Sequence, residues 1–365
     1  MNYITSPYIR LHKRSESHSI IINYHINKTQ LINNDLHFLL KHCRRITSYQ
    51  EICEMFGKKL ADMAIDKSLI LQFDVVWKIH HIRRMEIETV TACNWKCVYC
   101  PQHTIKRKYE VMPMTLFNTI LERCQKYMKF NIIAFHHYSE PTLDPFFKER
   151  VLELAKRNFR FELFTNGKAL TEEMICLLKK ISILNKIVFN FPSADPAEFC
   201  AFTGSDSYYK SKKAIEMCCE LGLPVYVTSL HSNKHNNMEN INKLFTNAIC
   251  NSPEIQDRAG SLKHPDYAMN INLHDEKMYG CFYFLHVLYV TVHGDLIPCI
   301  NDSLNQNYIY GNIVNNEIAE ALESESAQEI RKKLFGGSVI PHDFQCRKCI
   351  FMKLNKQNLN DFWIE

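Results

Sequence analysis

Three cysteines stand together in Cys93-Asn94-Trp95-Lys96-Cys97-Val98-Tyr99-Cys100, at spacings of four and three residues. Thiolates are soft ligands for iron–sulfur clusters or zinc, and a short loop bearing three of them can wrap one corner of a cubane. Three protein thiolates leave one iron of a four-iron cluster open, which marks a reactive site more than a structural one. A structural zinc or iron site completed by a distant residue such as His103 is the alternative. A second set, Cys281, Cys299, Cys346 and Cys349, ends in the pair Cys346-Arg347-Lys348-Cys349. Four thiols can close a coordination shell completely, around a cluster or in a zinc ribbon.

These groups need a folded frame, and the composition supplies one. Of 365 residues 46% are apolar and 23% charged, enough for a sizeable core without disulfide staples. The fifteen cysteines are odd in number and residues 1–14 carry no apolar run resembling a secretion signal, so a reduced, cytoplasmic protein is expected. The apolar stretch 281–292 is too short to cross a bilayer and is interrupted by His286, so no membrane partner is expected. No two of the ten glycines are separated by a single residue, which excludes the glycine-rich dinucleotide fingerprint. The formal charge of +5 is too small to establish a nucleic-acid footprint.

The pattern divides the chain into residues 1–80, 84–265 and 266–365. The first part offers a strand at 20–25 and helices at 35–43, 48–56 and 59–71, with Ser48 as a cap. In the second, strands at 86–91, 131–138, 160–165, 186–191 and 224–230 alternate with helices at 116–128, 145–157, 171–180 and 208–221. That alternation predicts a parallel α/β sheet, open or curled into a full or partial barrel, with working residues at the carboxyl ends of the strands. The third part is less regular, with one helix at about 318–335.

The cysteine loop resembles the signature of the radical S-adenosylmethionine (SAM) enzymes, with Tyr99 as the aromatic residue before the last cysteine. The resemblance continues along the chain. His136-His137-Tyr138-Ser139-Glu140-Pro141 is similar to that family's Gly-Glu-Pro motif, with Ser139 in place of glycine. Thr165-Asn166-Gly167 matches a frequent tripeptide, and Asn190 stands where the family often carries a polar residue. The resemblance implies a partial parallel (β/α)6 TIM-type barrel and a four-iron cluster on Cys93, Cys97 and Cys100 whose open iron chelates SAM. Reductive cleavage then yields a 5′-deoxyadenosyl radical that abstracts a substrate hydrogen. It further implies SAM contacts from Tyr99, Ser139, Glu140, Thr165, Asn166 and Asn190, with Glu140 receiving the amino group. The family's arginine for the SAM carboxylate has no obvious counterpart; Lys210, Lys212, Lys213 and Arg258 are the candidates.

The C-terminal cysteines resemble the auxiliary-cluster extension of the same enzymes. With no cysteine after Cys349, the single-cluster "twitch" form is expected, giving a second four-iron cluster on Cys281, Cys299, Cys346 and Cys349. The remaining eight cysteines read as small core residues, with Cys200 and Cys218 as candidate hydrogen-atom donors. His136 and His137 read as core or SAM-adjacent residues, and no catalytic residue is assigned. Residues 1–80 resemble the winged-helix leader-recognition module of enzymes that mature ribosomally made peptides. A peptide substrate is therefore expected, and the basic residues near the clusters point to an acidic flavodoxin or ferredoxin as reductant. The alternatives are a radical dehydrogenase or cyclase acting on a small molecule, and a zinc-containing winged-helix nucleic-acid-binding protein.

Overall fold

The computed structural model describes residues 1–23, 28–103, 107–127, 132–230, 237–253, 258–259, 261–262, 281–302, 308–335 and 344–349. The chain divides into two compact units, residues 1–81 with 271–285 and 322–365, and residues 82–270 with 286–321. Both units draw on the C-terminal part of the sequence.

The first unit opens with β1 (Asn2–Thr5) and an antiparallel meander of β2 (Ile9–Lys13), β3 (His18–Asn23) and β4 (Lys28–Asn33). Then come α1 (Asn34–His42), β5 (Thr47–Ser48), α2 (Tyr49–Phe56), α3 (Lys58–Asp66), β6 (Ile70–Gln72) and α4 (Phe73–Val76), with β1 pairing both β5 and β6. Helices α1 to α3 are those the periodicity indicates, and the single turn of α4 is an addition to them. Asn33 caps α1 by accepting from Leu36 N at 3.1 Å, and Ser48 caps α2 by accepting from Glu51 N at 3.1 Å. The expected helix at 59–71 is shorter, because Ser68 turns into the left-handed region at φ 53° and Ile70 to Gln72 leave to pair with β1. Leu36, Leu39 and Leu40 of α1 pack with Ile52 of α2, Ala64 of α3 and Ile21 of β3 in one buried core.

The second unit is built on β7 (Arg84–Ile87), α5 (Met114–Tyr127), β8 (Ile132–Phe135), α6 (Phe147–Lys156), β9 (Arg160–Thr165), α7 (Glu172–Lys180) and β10 (Leu184–Asn190). It continues through α8 (Pro196–Thr203), α9 (Tyr208–Glu220), β11 (Val225–Thr228), α10 (Met238–Leu244) and β12 (Ile249–Asn251). After α11 (Phe282–His286) the chain adds β13 (Val287–Val290), β14 (Asp295–Ile297) and β15 (Gly311–Asn312). The expected 318–335 helix is two, α12 (Ile318–Glu323) and α13 (Glu325–Phe335).

Strands β7 to β12 lie side by side in sequence order, all parallel, as the strand–helix alternation requires. The sixth, β12, escapes the sequence reading because its three residues are too few to set a period. Beyond β7 the sheet continues with β13, parallel to it, and the antiparallel β14 and β15. Side chains alternate between the two faces. Met85, Ile87, Ile133, Phe135, Phe161, Leu163, Ile187 and Phe189 are buried on one of them; Phe135 meets Phe117 of α5 and Phe161 edge-on, at 5.9 and 4.8 Å between ring centroids. The opposite face presents Arg84, Glu86, Glu162, Lys186 and Asn190, polar groups that a core face would exclude. No described helix is long and apolar enough to cross a membrane.

Candidate active site

Because β7 to β10 are parallel, the segments following them emerge at one edge of the sheet. The cysteine loop follows β7, His136 to Glu140 follow β8, Thr165 to Gly167 close β9 and Asn190 closes β10. The order read from sequence is therefore a spatial cluster.

Helix α8 holds the cysteine loop in place. Lys96 N donates to Thr203 O at 2.8 Å and Val98 N to Phe202 O at 3.0 Å. Trp95 Nε1 donates to Ser207 Oγ at 2.9 Å, with its ring edge-on to Phe199 at 5.2 Å. Gly204 ends α8 in the left-handed conformation at φ 59°, where a Cβ would stand 3.1 Å from that of Lys96. Glycine is what allows the helix end to approach the loop so closely. Burial pushes the Cys93 thiol up to about 12 and raises Cys97 and Cys100 as well, with the neighbouring thiols adding to the rise at Cys93 and Cys97. Binding a metal there displaces protons.

Glu140 ties the next two strand ends together. Its backbone N donates to Ala92 O at 2.8 Å. Its Oε1 accepts from Thr142 N (3.1 Å), Thr142 Oγ1 and Thr165 Oγ1 (both 2.6 Å), and its Oε2 accepts from Asn166 N at 2.7 Å. Burial raises its carboxyl above the ordinary range against these hydrogen bonds, and no cationic side chain among the described residues pairs with it. A buried carboxylate without a counter-ion is costly, so this one is suited to receive a positive group from a ligand. Gly167, at φ 76°, lets the next turn pass Phe189, where a Cβ would meet the ring at 3.1 Å.

Asn190 Nδ2 donates to Tyr99 Oη at 3.0 Å, while its Oδ1 is buried without a partner among the described residues. That spare acceptor fits a ligand hydroxyl. Ser139 is half-buried at the turn before Glu140. The structure thus brings together Cys93, Cys97, Cys100, Tyr99, Glu140, Thr165, Asn166 and Asn190. Three thiols on one anchored loop, a buried unpaired carboxylate and an orphaned acceptor fit a thiolate-bound cluster with SAM beside it. Among the described residues no three His, Cys, Asp or Glu side chains converge closely enough to enclose a single ion. The side chain of His103 lies outside the described part.

Of the expected basic residues, Lys210 and Lys213 are exposed on α9 and Lys212 pairs with Glu216 one turn along. The charge of Arg258 is felt at Cys100, and its guanidinium lies 5.9 Å from the Tyr138 ring centroid. A lysine that the sequence reading missed does reach the loop: Lys168 Nζ donates to Asn94 O at 3.3 Å and Ser205 Oγ at 3.0 Å. Its one signal was adjacency to Thr165-Asn166-Gly167. Cys200 is exposed, while Cys218 is buried and pushed up to about 12 by that burial.

The polar face of the sheet carries a charge network that the sequence reading also missed. Glu86 forms an ion pair with Arg84, whose Nε stands 2.9 Å away, and accepts from His136 Nδ1 at 2.6 Å, while Arg84 also pairs with Glu162. Burial would raise the Glu86 carboxyl, but the charges of His136 and Arg84 outweigh it and hold Glu86 at about 2. His136 stacks on Phe164 at 4.2 Å, whereas His137 is fully buried and kept below its ordinary pKa by that burial. Arg107 grips the buried Glu88 with two bonds of 2.7 and 2.8 Å, tying the segment after the cysteines to the end of β7.

Of the C-terminal cysteines, Cys281 precedes α11 and Cys346 and Cys349 frame a turn in which Cys349 N donates to Cys346 O at 3.1 Å. These three belong to the first unit and Cys299, after β14, to the second.

Residues 87–245 match the radical SAM superfamily, and residues 281–350 match the SPASM iron-sulfur cluster-binding domain, a span that contains all four of these cysteines. The S-adenosyl-L-methionine-dependent 2-deoxy-scyllo-inosamine dehydrogenase of Niallia circulans is 23% identical over 287 residues, 76% of this chain and 96% of that protein. Among solved structures, Streptococcus suis SuiB bound to precursor peptide SuiA aligns with a TM-score of 0.58 at 14% identity, covering 96% of this chain and 94% of that one. Native anSMEcpe with bound AdoMet and Kp18Cys peptide aligns with a TM-score of 0.57 at 18% identity, covering 73% and 90%. Likeness at these identities bears on the fold. The cysteine loop, the motifs gathered at the strand ends and the two matched domains identify the chain as a radical SAM enzyme with a SPASM-type domain, whose cofactors are SAM, a SAM-binding 4Fe-4S cluster and auxiliary iron–sulfur chemistry.

Proposed function

We propose that this enzyme modifies a peptide. The observation that carries the reading is the N-terminal part, residues 1–81, whose described residues hold the four helices α1 to α4 and two small antiparallel sheets. In the β2–β3–β4 meander both outer strands keep one edge unpaired among the described residues. An extended peptide binds such an edge by adding a strand, so that main-chain hydrogen bonds give affinity and side-chain pockets give selectivity. The likeness to SuiB, whose structure holds a precursor peptide, extends over 96% of the chain and so includes this unit. We read residues 1–80 as a winged-helix recognition module, 84–265 as a partial barrel and 266–365 as the auxiliary-cluster part.

In this reading Cys93, Cys97 and Cys100 hold the SAM cluster, Glu140 receives the SAM ammonium, and Tyr99 with Asn190 meets the nucleoside. Ser139, Thr165 and Asn166 shape the turns around it, and Cys281, Cys299, Cys346 and Cys349 hold one auxiliary cluster. When bound, the cluster and SAM supply one-electron cleavage and hydrogen-atom abstraction. The protein's part is to anchor the loop through α8 and to keep the site buried. A second reading, dehydrogenation of a small alcohol, is favoured by the relative in Niallia circulans, 96% of whose length is matched.

The test is to supply the reconstituted enzyme, SAM and dithionite either with a randomised peptide library or with 2-deoxy-scyllo-inosamine. A peptide mass change, with 5′-deoxyadenosine above the substrate-free level, is expected. Turnover of the aminocyclitol alone would favour the second reading.

A further inference from the structure

Asn166 is fixed at both ends in the turn after β9. Its backbone N donates to Glu140 Oε2 at 2.7 Å, and its Oδ1 accepts from Lys168 N at 2.9 Å. The residue is 5% exposed, so its amide group cannot turn to bulk water. Nδ2 is left facing two acceptors on the cysteine loop, Asn94 Oδ1 at 2.7 Å and Cys93 Sγ at 3.9 Å. Sulfur is a large, weak acceptor while protonated. As a metal-bound thiolate it carries charge, and hydrogen bonds to such sulfurs are among the terms that set a cluster's reduction potential.

We infer that Asn166 is a positioning residue that sets the potential of the cluster on Cys93, Cys97 and Cys100 by donating to the Cys93 sulfur, in competition with Asn94. The inference rests on the reading that these three thiols hold the SAM cluster. The sign follows from charge. Reduction adds an electron, and a donor aimed at a ligating sulfur stabilises the more negative state, so the amide raises the potential. Asn94 draws the amide away and tempers that effect. Both residues lie on backbone already anchored elsewhere, Asn166 by Glu140 and the Asn94 carbonyl by Lys168, so their side chains can change without releasing the turn.

The experiment is an EPR-monitored reductive titration of the reconstituted full-length enzyme, following the signal that changes when SAM is added. Asn166→Asp, which removes the donor, is expected to move the midpoint to more negative values. Asn94→Ala, which removes the competing acceptor, is expected to move it the other way. Opposite signs are the diagnostic, because a generally loosened loop would shift both variants alike. Should Asn166→Asp fail to load iron, Asn166→Ala removes the donor without adding charge. Wild-type midpoints in both variants, or shifts of the same sign, would overturn the inference. The underlying reading fails separately: a Cys93→Ala, Cys97→Ala, Cys100→Ala variant that keeps both the SAM-responsive signal and the wild-type iron content would show that the cluster is elsewhere.

Discussion

Replacing Glu140 with glutamine separates what this residue does for SAM from what it does for the fold. Glutamine keeps an oxygen for the three donors on Oε1, at 2.6 to 3.1 Å, but turns an NH2 group toward Asn166 N, now 2.7 Å from Oε2. That lost bond costs about 1–3 kcal/mol. Against it stands relief of a buried carboxylate with no counter-ion, an effect of several kcal/mol. The ligand-free variant should therefore be no less stable than wild type. Linkage gives the same sign. The folded carboxyl titrates above its unfolded value, so its contribution to stability falls as pH rises from about 4.5 through the folded pKa, and the variant should lack that fall. SAM binding behaves differently, because a charged hydrogen bond to an ammonium contributes about 1.5–3 kcal/mol. Its loss weakens SAM about 10- to 150-fold. Anaerobic equilibrium dialysis with labelled SAM, alongside thermal denaturation of the ligand-free protein, reads both quantities. Wild-type SAM affinity would refute the assignment of the ammonium to Glu140. A clear loss of ligand-free stability would make the residue structural.

Three further perturbations test the frame around the site. Glu86, at about 2 in the folded protein against about 4.5 unfolded, stabilises fully above pH 4.5 and loses that contribution as pH falls toward 2. Between pH 6 and 3 the loss is about 2 kcal/mol, and urea denaturation of Glu86→Gln should show a correspondingly shallower fall. Gly204→Ala places a Cβ 3.1 Å from that of Lys96 at φ 59° and should lower iron uptake while far-ultraviolet circular dichroism stays unchanged. Arg150 Nε donates to Asp144 Oδ2 at 2.7 Å with both side chains fully buried, so Asp144→Ala strands a guanidinium and should cost about 3–5 kcal/mol in denaturant titration.

Much of the site was legible because its chemistry is carried by local motifs. Cys93, Cys97 and Cys100 declare themselves by spacing, and Glu140, Asn166 and Asn190 follow at the ends of recognisable strands. One cap was legible too: Ser48 accepts from Glu51 N at 3.1 Å, as its position before an apolar period implies, whereas Thr171, read as the first helical residue, caps α7 by accepting from Met174 N at 3.2 Å. Of the N-terminal sheets only one strand was legible, the expected 20–25 overlapping β3 (His18–Asn23). β1 pairs with β6 across more than sixty residues of chain, and strands of two to six residues with mixed polarity set no reliable period. Glu51 shows the limit of a motif. The spacing allows a reciprocal cap with Ser48, but the glutamate side chain meets His42 and Arg45, brought there by α1.

What the sequence determined alone is the set of chemical groups and their order: three thiols on a loop, acid and amides at successive strand ends, and an apolar face every second residue to bury under helices. Tertiary structure decided which groups meet. Glu86 faces His136 because β7 and β8 are parallel and in register, with Glu86 opposite Ala134 two residues before the histidine. Among the described residues Glu140 has no counter-ion, and Asn166 reaches Cys93, because three strand ends converge on one edge of the sheet. Pairing across a sheet is set by backbone hydrogen bonds between segments far apart in the chain. Local spacing carries no record of which segment will be the neighbour.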